Sequence, residues 1–246
     1  MIKYLFFDIY QTLLDVDIEQ KNIDTAWKVF EDYLIKKNVN LDEARKFKLY
    51  FDQAESLFYQ DRDKLLYHHD WIENIYSVMK THYGMTISSS EAKSLLWSFR
   101  KISCDFCRVY PGVKVTLEKL SKSYTLSTAS LAHESITKIE LDETGLSKYF
   151  SHFIFTSGIG YRKPSEEFYR RMLQEVGATA DVSFMIGDNL RDDIFGASRV
   201  GMHTIWIMNP LSMNNKIDVK PDYSVKIENF PEIVDVISLH NDRISM

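Results

Sequence analysis

Four short stretches hold the side chains able to do chemistry. Asp8 closes the apolar run Tyr4-Leu5-Phe6-Phe7, Ser127 and Thr128 follow Leu126, Lys163 precedes Pro164, and Gly187-Asp188-Asn189 leads into Asp192-Asp193. A carboxylate, hydroxyls, an ammonium and a second group of carboxylates make a set suited to holding an anion and a hard cation together. Each also has an ordinary local role: Asp8 as a turn residue, Asp192 and Asp193 as helix caps, Lys163 as a solvated loop lysine. Local capping does not account for the whole set, because three of the stretches fall where strands are expected to end and the loop before Pro164 would deliver Lys163 to the same rim.

The elements that would position these groups are legible from periodicity. Residues 2–8 read as a buried parallel strand. From about Asp17 to Cys107 strand signals vanish and apolar residues recur three or four apart. Trp27, Phe30, Leu34 and Ile35 form one face, Phe47, Tyr50, Ala54 and Leu57 a second, Trp71, Ile75, Val78 and Met79 a third. Ser88 to Ser90 offer caps for a helix carrying Leu95, Leu96 and Phe99. These faces read as bundle core. From Tyr110 onward strands and helices alternate: helix 113–120, strand 124–127, helix 130–142, strand 153–155, helix 164–176, strand 183–186, helix 191–200, strand 203–207 and a last strand near 223–225. Alternation of this kind implies right-handed parallel crossovers, hence an α/β fold with a doubly wound parallel sheet. The expected organisation is a discontinuous core, 1–16 and 108–246, with 17–107 as an inserted helical domain. In such sheets ligands sit beyond the carboxyl ends of the strands, which is where Asp8, Ser127, Lys163 and Asp188 would meet.

Taken in order, the stretches resemble the four motifs of the haloacid dehalogenase-like hydrolase superfamily: Asp8-Ile9-Tyr10-Gln11-Thr12-Leu13, Leu126-Ser127-Thr128-Ala129, Arg162-Lys163-Pro164 with Phe168, and Ile186-Gly187-Asp188-Asn189 with Asp193. The resemblance implies a Rossmann-like core and a helical C1-type cap. It further implies Asp8 as nucleophile, Ser127 as hydrogen-bond donor to a phosphoryl oxygen with Thr12 and Thr128 beside the substrate, and Lys163 as the neutralising cation. Mg²⁺ would be held by Asp8, the Tyr10 carbonyl, Asp188 and Asp193, with Asp193 alternatively orienting Lys163. Phosphatases of the superfamily resemble D-x-D-x-T, whose second Asp is the acid and base. Tyr10 stands at that place, and a phenol with a pKa near 10 donates a proton but is a poor base at neutral pH. Loss of a positioned acid/base typically costs about 10² to 10⁴ in rate. The D-x-Y-x-T pattern resembles the metal-free 2-haloacid dehalogenases, although Gln11 replaces their glycine. The acidic pair of the last motif resembles the phosphatases. The expectation is a Mg²⁺-dependent phosphatase of a small phosphorylated metabolite, attenuated by Tyr10. Its alternatives are a dehalogenase-like hydrolase without metal and a non-catalytic phospho-ligand binder.

Composition excludes other classes. The 246 residues carry 30 Lys+Arg against 35 Asp+Glu, a net charge of -5 that gives no electrostatic footprint for nucleic acid or an anionic membrane. No apolar run approaches the ~18 residues of a membrane span, and the start lacks a signal-peptide core, so a cytoplasmic protein is expected. Cys104 and Cys107, a lone C-x-x-C, read as structural. His68-His69 point to different helix faces and do not form a metal pair. Arg62, Arg100 and Arg108 read by default as surface residues, with reach to a substrate from the helical segment or its hinge as the alternative, and Asp15 and Asp17 as part of a hairpin, with hinges near 16–18 and 106–110.

Overall fold

The computed structural model describes residues 1–17, 19–60, 70–212 and 217–244, with backbone only for 57–60. Arg62, Tyr67, His68 and His69 lie outside the described residues. Six parallel strands form one sheet in the order β5-β4-β1-β6-β7-β8, made of β1 Tyr4–Phe7, β4 Thr125–Ser130, β5 His152–Phe155, β6 Ser183–Gly187, β7 His203–Met208 and β8 Tyr223–Lys226. β1 is flanked by β4 on one side and β6 on the other. The chain runs outward from β1 in one direction and then restarts at β6 in the other. That reversal leaves a crevice beyond the end of β1, with Asp8 at its mouth.

Alternation along β1 serves both faces of the sheet. Leu5 and Phe7 pack with Val113, Leu117, Phe230 and Ile237 on one side, whereas Phe6 packs with Phe168, Tyr169, Met172 and Met185 on the other. Burial on both faces explains why the strand sequence is continuously apolar. The helical segment has its own core, in which Trp27, Phe30, Phe47, Phe51, Ile75, Leu96 and Phe99 are buried and Phe30 stacks on Phe47 at 4.4 Å between ring centroids. Ile136, on the helix Glu134–Glu143 that follows β4, joins this same cluster. Ile35 falls outside it and is exposed.

Two short strands strap the entry and exit of the helical segment together. β2 Leu14–Val16 pairs antiparallel with β3 Cys107–Val109, and the cross-strand pair Asp15–Arg108 closes an ion pair at 2.7 Å. Cys104 and Cys107 flank this ribbon as free thiols, and burial followed by the Glu140 carboxylate pushes the Cys107 thiol up to about 12. Among the described residues no helix is long and apolar enough to cross a membrane.

Close packing also fixes the loop that bears Lys163. A Cβ on Gly196 would come within 2.5 Å of the Tyr169 ring and 3.0 Å of Pro164 Cα. Gly196→Ala is therefore expected to lower stability by roughly 1–3 kcal/mol through overpacking, read from the urea midpoint at unchanged m-value.

Candidate active site

The loop after β1 is tight. Leu13 and Leu14 both return backbone hydrogen bonds to the Ile9 carbonyl, at 2.8 and 3.0 Å, and Gln11 adopts a left-handed φ of 62°. That conformation is costly for a residue with a Cβ. It is held by Asn209, whose amide donates to the Gln11 carbonyl at 2.7 Å, and by Tyr110, whose hydroxyl donates to Gln11 Oε1 at 2.6 Å. The result presents Asp8 to a cavity of about 710 Å³ whose walls include Lys163, Asp188 and Asp193 from the sheet side and Trp71, Phe99 and Arg100 from the helical side.

Carboxylate oxygens of Asp8, Asp188 and Asp193 lie within 4.8 Å of one another. One ammonium serves two of them: Lys163 Nζ is 2.9 Å from Asp8 Oδ1 and 2.6 Å from Asp193 Oδ1, and it is buried. The other oxygen of Asp193 accepts the Asn189 N–H at 3.0 Å, so both of its oxygens are engaged. This contact depends on Gly187, since a Cβ there would fall 2.2 Å from Asp193 Oδ2. Asp188 Oδ1 accepts the Thr12 hydroxyl at 2.9 Å, and its backbone carbonyl accepts the Trp206 indole at 2.9 Å. Burial and then Asp193 push the Asp188 carboxyl up to about 6. Burial also raises Asp8, against the opposing pull of Lys163. For Lys163 burial disfavours the charged form, but Asp193 and Asp8 outweigh it and the amine is held ionised. The site is thus short of positive charge, and its donor set of oxygens is what a hard divalent cation takes.

Several expected residues stand elsewhere. β4 runs to Ser130 rather than ending near Ser127, and the helix starts at Glu134. Ser127 is paired with Phe6, two residues short of Asp8, and is wholly buried within the sheet with an unpartnered Oγ. Thr128 Oγ1 accepts the Ile154 N–H at 3.0 Å. Neither lines the cavity; Ser130, at the true end of the strand, does. A six-residue strand is ordinary in length, and the small residues Ser-Thr-Ala-Ser looked like a loop only because their burial comes from flanking strands. Thr12 is also buried behind the cavity wall and orients Asp188. Arg100, expected on the surface, is buried in the cavity wall, whereas Arg108 is exposed.

Tyr10 lines the cavity with its hydroxyl already committed. It donates to Glu140 in a short hydrogen bond and lies 2.9 Å from Thr137 Oγ1, while Glu140 Oε1 accepts Arg100 Nε at 2.6 Å. Burial first, and then the Glu140 charge, raise the phenol well above its ordinary pKa. It is a neutral donor and not a base. Glu140 lies 130 residues from Tyr10, and no local signal announced it.

The family profile described as haloacid dehalogenase-like hydrolase matches residues 5–207. The chain belongs to that family. Its relatives include glyceraldehyde 3-phosphate phosphatase of Pyrococcus furiosus, 22% identical over 98% of this chain and 95% of the relative. A pyrimidine 5'-nucleotidase of Streptococcus pneumoniae is 25% identical over 91% and 90% of the two chains. Among solved structures, a 2-haloacid dehalogenase of Pseudomonas syringae pv. tomato matches with a TM-score of 0.66 at 23% identity, covering 97% of this chain and 99% of that one. The protein is a hydrolase of this superfamily, with an α/β fold to match.

Removing the buried ammonium tests the electrostatics directly. Lys163→Met leaves Asp8 and Asp193 without a cation, which should cost about 3–5 kcal/mol near pH 8. Burial already raises Asp8 against the pull of Lys163; with that pull gone the folded state holds the Asp8 proton still more strongly than the unfolded state does, so the variant's stability falls as pH increases. Urea unfolding without divalent cations should show the deficit largest at pH 8 and reduced at pH 5.5.

Proposed function

We propose that the chain is a Mg²⁺-dependent hydrolase of a small phosphorylated metabolite in the cytoplasm, acting through a covalent phosphate on Asp8. The observation that carries this reading is the cluster of three carboxylates with one ammonium, which pairs with two of them, a deficit of positive charge that a divalent cation would correct. Asp8, Asp188 and the Tyr10 carbonyl are the groups that would hold the metal. When bound, Mg²⁺ supplies charge neutralisation at the transferring phosphoryl group. Asp193, with both oxygens engaged, serves to position Lys163.

In the chain's own chemistry, an Asp8 oxygen attacks phosphorus and the bond to the ester oxygen breaks, giving an aspartyl phosphate and a free alkoxide. Lys163 steadies charge on Asp8 and on the phosphoryl oxygens. The Ser130 hydroxyl replaces Ser127 as the donor to a phosphoryl oxygen. Water then cleaves the acyl phosphate, releasing inorganic phosphate and restoring Asp8. The Tyr10 proton is directed at Glu140, so the departing alkoxide lacks a dedicated acid. Turnover should therefore favour leaving groups that are stable as anions. The helical segment 17–107, strapped at the β2–β3 ribbon, would act as the cap that excludes water.

A panel of aryl phosphates, alkyl phosphates and 2-haloacids, assayed with and without Mg²⁺, tests the reading. Metal-dependent release of phosphate, fastest from p-nitrophenyl phosphate and lost in Asp8→Asn, is expected; metal-free halide release, or no turnover at all, would overturn it. On the best phosphate ester Ser130→Ala should lower kcat/KM about tenfold or more, while Ser127→Ala should change it less than threefold.

A further inference from the structure

Arg100 sits at an unusual place for an arginine. It belongs to the helix Ser89–Ser103 of the helical segment, is only 9% exposed, and yet lines the cavity that contains Asp8. Its Nε donates to Glu140, but the second Glu140 oxygen is taken by Tyr10 rather than by a second guanidinium N–H. The contact is a single hydrogen bond rather than the usual side-on pair. Among the described residues the Arg100 guanidinium hydrogen-bonds through Nε, and its two terminal amino groups make no hydrogen bond. A guanidinium carries five N–H donors, and one buried with most of them unused is costly unless something else accepts them.

The surroundings say what that something is. Trp71, Phe99 and Ile136 share the cavity wall with Arg100, so the apolar neighbours offer no acceptor. Among the described lining residues, Arg100 and Lys163 are the two that carry a permanent positive charge; Lys163 is paired with both Asp8 and Asp193, whereas Arg100 is paired with Glu140 through Nε. Tyr10 is two residues from Asp8, within about 7 Å of it along the chain, and connects through Glu140 to Arg100. Arg100 thus lines the same cavity as the nucleophile, into which the leaving group of an ester held at Asp8 would extend. Glu140 holds the fork in place, since it grips the one nitrogen that leaves both terminal amino groups available.

We infer that Arg100 is a specificity-determining residue that binds a second anionic group, a carboxylate or a second phosphate, on the leaving group of the phosphate ester, and that Glu140 is its positioning residue. This rests on the phosphohydrolase reading for turnover but not for binding. Three esters of similar size test it: 2-phosphoglycolate, ethylene glycol bisphosphate and 2-hydroxyethyl phosphate, the last with a neutral hydroxyl where the others carry an anion. The wild-type protein should prefer at least one of the anionic esters, and the ratio of kcat/KM for that ester over 2-hydroxyethyl phosphate should fall at least tenfold in Arg100→Met. Because that variant strands Glu140, Arg100→Met/Glu140→Gln is measured beside it, and loss of the preference in the double variant with an intact unfolding transition carries the same meaning. Ligand-induced shifts of the melting temperature in an Asp8→Asn background read binding without turnover. Arg100-dependent binding of an anionic ester with no hydrolysis would remove the hydrolytic reading and leave this inference standing. Equal binding and turnover of all three esters, or an anion preference that survives both Arg100 variants, would overturn it while leaving hydrolysis intact. Absence of both binding and turnover would overturn the two together.

Discussion

The ammonium of Lys163, buried between Asp8 and Asp193, is the contact on which the rest of the site depends. It ties the loop after β1 to the loop after β6 across the middle of the sheet. Without it two carboxylates would face each other in a low-dielectric pocket with no cation between them, an arrangement that disfavours both being charged. With it, Asp8 stays a candidate nucleophile at the mouth of the crevice. Much of the surrounding packing reads as support for this one position. Gly187 leaves room for the Asp193 side chain, Gly196 lets Tyr169 and Pro164 close on each other beside Lys163, and the Tyr169 hydroxyl donates to the Asp192 carbonyl.

A second polar cluster faces the first across the cavity. Tyr10, Glu140 and Arg100 join the loop after β1, the helix after β4 and the last helix of the helical segment. Asp70 makes a parallel connection, capping the helix Trp71–Tyr83 while accepting the Ser135 N–H at 2.8 Å. Both links converge on the helix Glu134–Glu143, which also lends Ile136 to the aromatic core of the helical segment. Buried polar links of this kind contribute little net stability but specify geometry strongly. They set where the helical wall of the cavity stands relative to Asp8.

Much of this was readable from residue order. The continuous apolar run ending at Asp8, the strand–helix alternation after Tyr110 and the heptad-like apolar faces between Trp27 and Phe99 are direct consequences of which faces must be buried, so periodicity reports them. Asp8, Lys163, Asp188 and Asp193 could be grouped because parallel strands bring their carboxyl ends to one rim. Ser127 was misplaced for an equally physical reason. Its neighbours Thr128, Ala129 and Ser130 are small, and their strand character comes from pairing with β1 and β5 rather than from their own propensity. The ribbon of β2 with β3 was hidden likewise, since its partners lie more than 90 residues apart.

By itself the sequence determined the parallel sheet, the helical character of the segment between its first two strands and the acidic and basic groups near one rim, because hydrophobic periodicity and strand-end chemistry are local properties of the chain. Only the tertiary structure decided what those groups touch. It turned Tyr10 toward Glu140, brought Arg100 in from the expected surface, engaged both oxygens of Asp193 and put Ser130 where Ser127 was expected. Each of these is a contact between residues distant in sequence, and which atom of a polar side chain is left free is fixed by its partners and not by its type.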